Sequence, residues 1–99
     1  MNTTEVRLCD PGWTLSQLQK WIRQREGTGR SLLAISPIEE RGMTQTTALT
    51  FEFTGAGPAR QVVLQQYNGI AIPDPTGTTK ICIGRCILGG KEAYVLASR

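Results

Sequence analysis

The sequence contains no histidine among its 99 residues, so the commonest general base and the commonest metal ligand are both missing. A serine or cysteine nucleophile normally needs a base within hydrogen-bond reach, and only lysine or a carboxylate could serve here. We therefore exclude a hydrolase that pairs serine or cysteine with histidine.

Three cysteines, Cys9, Cys82 and Cys86, are the next nucleophiles to consider. On a strand, the Cα atoms of Cys82 and Cys86 would lie ~13 Å apart, beyond the ~7 Å limit for a disulfide, unless Gly84 makes a sharp bulge. A zinc site needs four ligands, and these thiols lack the usual close pair across a turn. We predict small buried core residues at these positions, with no bound metal and no cofactor.

Carboxylate pairs can perform acid–base chemistry without histidine. The carboxylates that come into question are Asp10, Glu39, Glu40, Glu52, Asp74 and Glu92. Glu52 alone among them falls in the middle of an expected strand, where its alternation with Phe51 and Phe53 indicates a solvated outer face. Nothing in this pattern favours catalysis, and we predict that the protein is not an enzyme.

Positive charge and an aromatic ring gather at the end of the expected helix and in the loop after it. The residues are Lys20, Trp21, Arg23, Arg25 and Arg30. Arginine and aromatic residues recur at binding hot spots, and such a patch can grip an acidic protein surface or a nucleic-acid backbone. The alternative is structural, because cations complement the dipole at a helix C-terminus and Trp21 can border the core. These five residues are the predicted partner-binding site.

Arg85 poses a second question, because the turn Gly89-Gly90 sets the register of the last hairpin. That register predicts the opposing pairs Leu88–Lys91, Ile87–Glu92, Arg85–Tyr94 and Ile83–Leu96. Arg85 then shares a strand face with isoleucines 81, 83 and 87, so this face cannot be uniformly buried. Either Arg85 pairs with Glu92 and packs on Tyr94 at the sheet margin, or the face contacts a partner or a second subunit. We favour the first.

The first third of the chain predicts a strand, a helix and a second strand. Thr3–Cys9 alternates polar with apolar residues, which places Val6 and Leu8 on one face. Thr14 and Gln17 have the spacing of a capping box, and Gly27 or Gly29 ends the helix. The glycines of residues 27–30 do not form a phosphate loop, because such loops run from strand into helix.

The remaining segments predict strands joined by turns. The expected strands are 31–36, the stretch from Thr46 to Thr54, 60–67, 70–72, 80–88 and the segment after Gly90. Residues 37–43 are expected to form a polar loop, and Asn68-Gly69 is expected to turn the chain so that 70–72 runs back along the preceding strand. The predicted fold is an α+β two-layer domain, a β-α-β start followed by an antiparallel β-meander with one helix packed on the sheet.

Length and composition limit the class of protein. A chain of 99 residues has room for a single domain, residues 1–99, since folding units typically need ~50–200 residues. The net charge of +3 permits nucleic acid as a partner without requiring it. The odd number of cysteines and the absence of a recognisable signal or membrane-spanning segment predict a cytoplasmic protein with no membrane partner.

Three hypotheses from different classes follow. The leading one is a small non-enzymatic protein that occupies a surface of another macromolecule, with a protein as the favoured partner. By analogy with other small proteins that lack recognisable motifs, it would be a phage or mobile-element inhibitor of a host defence complex, similar to anti-CRISPR proteins. It would act in the host cytoplasm. An RNA- or DNA-binding module and a binder of small molecules or signalling nucleotides are the alternatives, and a homo-oligomer stays open.

Overall fold

The computed structural model describes residues 3–99, with the exception of the side chain of Thr44. Its elements are β1 (Thr3–Cys9), α1 (Leu15–Glu26), β2 (Arg30–Glu40), β3 (Met43–Phe53), β4 (Val63–Tyr67), β5 (Lys80–Leu88) and β6 (Lys91–Ser98). The strands form two antiparallel three-stranded sheets, ordered β1-β3-β2 in sheet A and β4-β6-β5 in sheet B. The predicted α+β class is confirmed, with the strands divided between two sheets.

The helix begins where the sequence places it. The Thr14 hydroxyl accepts a hydrogen bond from the Gln17 amide at 3.2 Å, and the Gln17 side chain accepts one from the Thr14 amide at 2.9 Å. This capping box satisfies two of the amides that a helix start leaves without partners. Gly27 caps the other end. Among the described residues, no helix is long and apolar enough to cross a membrane.

Strand β2 continues where a polar loop was expected. It passes through Pro37, which lies opposite Thr47, and reaches Glu40. Proline is tolerated because β2 is an edge strand of sheet A. Arg41 and Gly42 then form the turn with φ angles of 55° and 76°, the left-handed pair that a tight hairpin needs. The predicted loop is wrong because arginine took a position where asparagine or glycine usually signals the turn.

The segment after Phe53 crosses to the second sheet. β4 pairs with β6, with Tyr67 opposite Tyr94, rather than continuing a meander from β3. The predicted strand 70–72 is absent from the described structure, which has no strand between β4 and β5. Gly69 lies directly over Tyr94, since a Cβ there would be 2.9 Å from the ring atom Cε2. The chain therefore turns across the face of sheet B and not along its edge.

The last hairpin confirms the predicted register. Leu88 faces Lys91, Arg85 faces Tyr94 and Ile83 faces Leu96. A register shift between Lys80 and Cys82 marks a bulge at Ile81. Ile81 consequently packs against the core and not on the face of Arg85, where strict alternation had placed it.

Sheet A and sheet B meet where β5 crosses β2. A Cβ at Gly84 would overlap the carbonyl oxygen of Ile35 and would lie 2.7 Å from the Ile35 Cβ. Beside this crossing, the Ile87 amide donates to the Thr47 hydroxyl at 2.8 Å, and Thr47 is buried. The two backbones can approach this closely only because residue 84 has no side chain.

The core lies between the sheets and the inner stripe of α1. Its members are Cys9, Leu18, Ile22, Leu32, Ile35, Leu49, Phe51, Val62, Leu64, Cys86, Ala93, Val95 and Ala97. Val6 and Leu8 are 60% and 63% exposed, on the outer face of sheet A. The alternation in β1 was identified correctly, but this edge strand turns Glu5, not its aliphatic residues, toward the neighbouring elements.

Gly84→Ala tests the crossing of the two sheets. Because the new methyl group would overlap backbone atoms of Ile35, the free energy of unfolding should fall by at least about 3 kcal/mol, the upper range for overpacked cores. Urea denaturation measures it. Gly12→Ala is the control, since its Cβ would meet only the flexible Asp10 side chain at 3.2 Å, and it should change stability by less than about 1 kcal/mol. A Gly84→Ala variant as stable as the parent would refute the crossing.

Candidate functional site

The structure divides the predicted helix-end site between two sides of α1. Arg25 and Arg30 form ion pairs with Glu5 of β1, and the Arg25 guanidinium also lies over the Trp21 ring. Lys20 and Arg23 lie on the other side, where they line a cleft of about 320 Å³. The five residues therefore do not form one continuous surface.

Trp21 belongs to an aromatic cluster at the edge of the core. Its ring centroid lies 5.7 Å from that of Trp13 and 5.8 Å from that of Phe51. The Arg25 guanidinium lies over the Trp21 ring at 5.3 Å. Replacing Trp21 with alanine would remove core packing together with surface, so Trp21→Ala cannot be expected to leave the fold intact.

Glu5 forms ion pairs with three arginines. Its carboxylate is 3.0 Å from Arg30 Nε, 3.8 Å from Arg25 and 3.2 Å from Arg7. The Arg30 guanidinium also lies over the Phe53 ring at 5.5 Å. These four side chains, the Glu5 cluster, comprise one carboxylate and three cations, so by themselves they carry a surplus of two positive charges.

Arg23 contributes to the fold of sheet B. Its Nε donates to the Val62 carbonyl at 2.8 Å, and the Gln19 side chain accepts from the Leu64 amide at 2.9 Å. These bonds satisfy the carbonyl just before β4 and one amide of β4. Lys20 is exposed, whereas the other four predicted residues are half-buried. It is therefore the predicted residue that is most accessible to a partner.

Burial suppresses the reactivity of the cysteines. It raises the pKa of Cys9 to about 12, with the nearby Cys86 thiol adding to the shift, and the pKa of Cys86 to about 11. The pKa of Cys82 is also raised by burial. All three are free thiols, and Cys9 and Cys86 lie in the core as predicted. Among the described residues, no three cysteine or carboxylate side chains are grouped to hold a metal ion.

Glu26 is a buried carboxylate that was not among the residues predicted from the sequence. Its side chain is only 4% exposed, accepts from the Leu32 amide at 2.8 Å and forms an ion pair with Arg99. The signal was present, because Glu26 continues the i, i+4 stripe of Leu18 and Ile22. The pair fastens the end of α1 to the start of β2 and to the final residue of the chain.

A groove on the outer face of sheet B brings the Arg85 region together. Its volume is about 390 Å³, and its lining includes Tyr67, Tyr94, Ile83 and Arg85. The two tyrosine rings are 5.8 Å apart. Arg85 forms an ion pair with Glu39 of β2, where Glu92 was the expected partner. We call this feature the Tyr94 groove.

Apolar side chains line the Tyr94 groove. Ile72 and Ile83 belong to its lining and are nearly half exposed. Ile70 follows the lining residue Gly69 in the chain and is 95% exposed. On the same face of sheet B, Leu96 and Ile87 are buried, although neither belongs to the main core cluster. The face is mixed, as the position of Arg85 required, and its open part combines aliphatic and aromatic groups.

A third feature is a wide cleft between β2 and β5. Its volume is about 560 Å³, within the ~300–1,000 Å³ range of small-molecule sites. Its lining includes the cations Arg60, Lys80 and Arg99 and the hydroxyl-bearing Ser31 and Thr79. Arg99 is already engaged with Glu26.

Comparison with known proteins gives no relative: no family model, curated protein or solved structure matches the chain.

The pH dependence of the Glu5 cluster follows from its contacts. The hydrogen bond from Arg7 is the main cause of a lowered pKa at Glu5, aided by the charges of Arg30 and Arg25. Since the folded-state pKa lies below the unfolded one, the contribution of Glu5 to stability is present above the ordinary glutamate pKa and is lost as pH falls through the lowered value.

Carboxyl NMR titration measures this shift directly. Glu5 should titrate below the range of an ordinary glutamate, and Arg7→Gln should move its midpoint upward. Arg41→Gln, an exposed substitution in the β2–β3 turn, should leave the midpoint in place. An ordinary midpoint for Glu5 in the parent protein would contradict the cluster.

Proposed function

We propose that this chain is a non-enzymatic binding protein that acts by occupying a surface of another protein through the Tyr94 groove. The observation that supports it is a groove whose lining includes Tyr67, Tyr94, Ile72 and Ile83, of which the two isoleucines are nearly half exposed. Ile70, which follows the lining residue Gly69 in the chain, is 95% exposed. Solvent contact with so much apolar surface is unfavourable by about 25 cal/mol per Å². A partner that covers it recovers that free energy.

The chemistry of the groove favours an apolar partner surface. Tyrosine and arginine are enriched at protein hot spots, and Ile72 and Ile83 line the groove together with the two tyrosines. The charge of Arg85 is neutralised by its ion pair with Glu39 of the same chain. An occupant therefore needs to present aliphatic or aromatic side chains, with no compensating charge.

The distribution of charge supports a protein over a nucleic acid. A nucleic-acid site normally combines stacking rings with uncompensated cations along the backbone path. Among the described residues that line the Tyr94 groove, the one cation is Arg85, and it is paired with Glu39. The rings of the groove therefore have no uncompensated cation beside them.

Each of the other hypotheses involves a different surface of the molecule. The cleft of Arg60, Lys80 and Arg99 is the feature that supports a small anionic ligand. The helix-end residues remain a predicted contact surface, for which Lys20 is the cleanest probe. Inhibition of a host defence complex is a form of the proposed function that the sequence alone prompts.

Affinity capture with an Ile70→Asp variant tests the proposal. The parent chain, immobilised and exposed to lysate of its native host cell, should retain a protein, and nuclease treatment should not remove it. Because Ile70 is almost fully exposed, Ile70→Asp keeps the fold and should reduce recovery of that protein at least about tenfold.

Two control variants locate the surface. Met43→Asp makes the same chemical change at an exposed position on sheet A and should retain the partner. Lys20→Glu probes the helix end and should also retain it. Loss with Lys20→Glu but not with Ile70→Asp would move the contact surface to the helix end, and release by nuclease would favour the nucleic-acid hypothesis.

A further inference from the structure

Strand β1 is an open edge of sheet A. At the other edge of sheet A, β2 lies against β5 at the Gly84 crossing, and the edge of β4 in sheet B is partly occupied, because the Leu64 amide donates to the Gln19 side chain. β1 pairs with β3 on one side, and no strand in residues 3–99 pairs with it on the other. Every second residue of such an edge points its N–H and C=O groups outward, ready to pair with a further strand.

The two faces beside this edge differ in chemistry. On the inner side, Glu5 and Arg7 follow each other on one face of β1, and the Glu5 cluster carries its surplus of two positive charges. On the outer side, Val6 and Leu8 are 60% and 63% exposed. A strand added at about 4.8 Å would place one row of its side chains beside the arginines and the other row beside the aliphatic pair.

We propose that β1 binds an extended peptide segment in which acidic and aliphatic residues alternate, by addition of that segment to sheet A. The acidic side chains of the peptide neutralise the surplus positive charge, and its aliphatic side chains cover Val6 and Leu8. Backbone hydrogen bonds supply affinity and the alternation supplies specificity. This surface lies on a different sheet from the Tyr94 groove and does not depend on it.

A second copy of the chain fits the edge less well. Antiparallel pairing centred on Val6 would place Glu5 opposite Arg7 of the other copy, which is favourable. It would also bring together two Glu5 clusters that each carry surplus positive charge, which is unfavourable. An acidic strand places a carboxylate beside Arg7 without bringing a second positively charged cluster to the edge.

A set of labelled peptides tests the proposal by fluorescence anisotropy. The probe is a seven-residue peptide of alternating glutamate and valine, flanked by Gly-Ser, and the comparisons are its lysine counterpart and a peptide with the glutamates and valines in separate blocks. The alternating acidic peptide should bind at least tenfold more tightly than either. N-methylation of one alternate set of its amides should abolish binding, and methylation of the other set should not, because only one edge of a strand pairs.

Variants of the chain assign the site. Arg7→Glu and Val6→Lys should each weaken binding at least tenfold, and both residues are exposed enough for the fold to persist. Lys91→Glu, with the same change of charge on sheet B, and Ile70→Asp should leave binding unchanged. A block peptide that binds as well as the alternating one would overturn the proposal, since simple charge attraction would then suffice. A parent chain that sediments as a dimer and is made monomeric by Val6→Lys would also overturn it in favour of a second copy.

Discussion

The close approach of β5 to β2 at Gly84 is the constraint on which the rest of the structure depends. With no side chain at residue 84, the backbone of β5 rests on the Ile35 carbonyl, and two small sheets share one core instead of each needing its own. The neighbours of Gly84 are placed by the same contact. Cys86 enters the core, while Arg85 lies on the outer face within reach of Glu39. The Tyr94 groove is therefore a consequence of how the sheets are joined.

The elements that sequence reasoning located well are those specified by nearby residues. The capping box of Thr14 and Gln17 fixed the start of the helix, and Gly89-Gly90 fixed the register of the last hairpin. Where partners are distant in sequence, the local signal failed. Asn68-Gly69 predicted a hairpin, but pairing of β4 with β6 and the position of Gly69 over Tyr94 directed the chain elsewhere. Tertiary contacts override local preference in such segments.

The candidate surfaces show the same division. The sequence marked both Arg85 and the helix end as unusual, and it paired Arg85 with Tyr94 correctly. It could not show that Glu5 would gather Arg7, Arg25 and Arg30, because three separate elements meet there. As a result, the positive charge that distinguished the helix end is only partly neutralised, because one carboxylate is shared by three arginines. The exposed isoleucines of the loop after β4 became visible only once that loop was seen to lie across sheet B.

Site-specific photo-crosslinking tests the central claim most directly. A benzophenone amino acid at position 94 reports what lies in the groove, and the same residue at position 24, exposed on α1, reports on the helix end. Irradiation in lysate of the cells in which the chain is naturally expressed should give a single protein adduct from position 94 and none from position 24. Adducts from position 24 alone, or a nuclease-sensitive adduct from position 94, would contradict a protein-binding role for the Tyr94 groove.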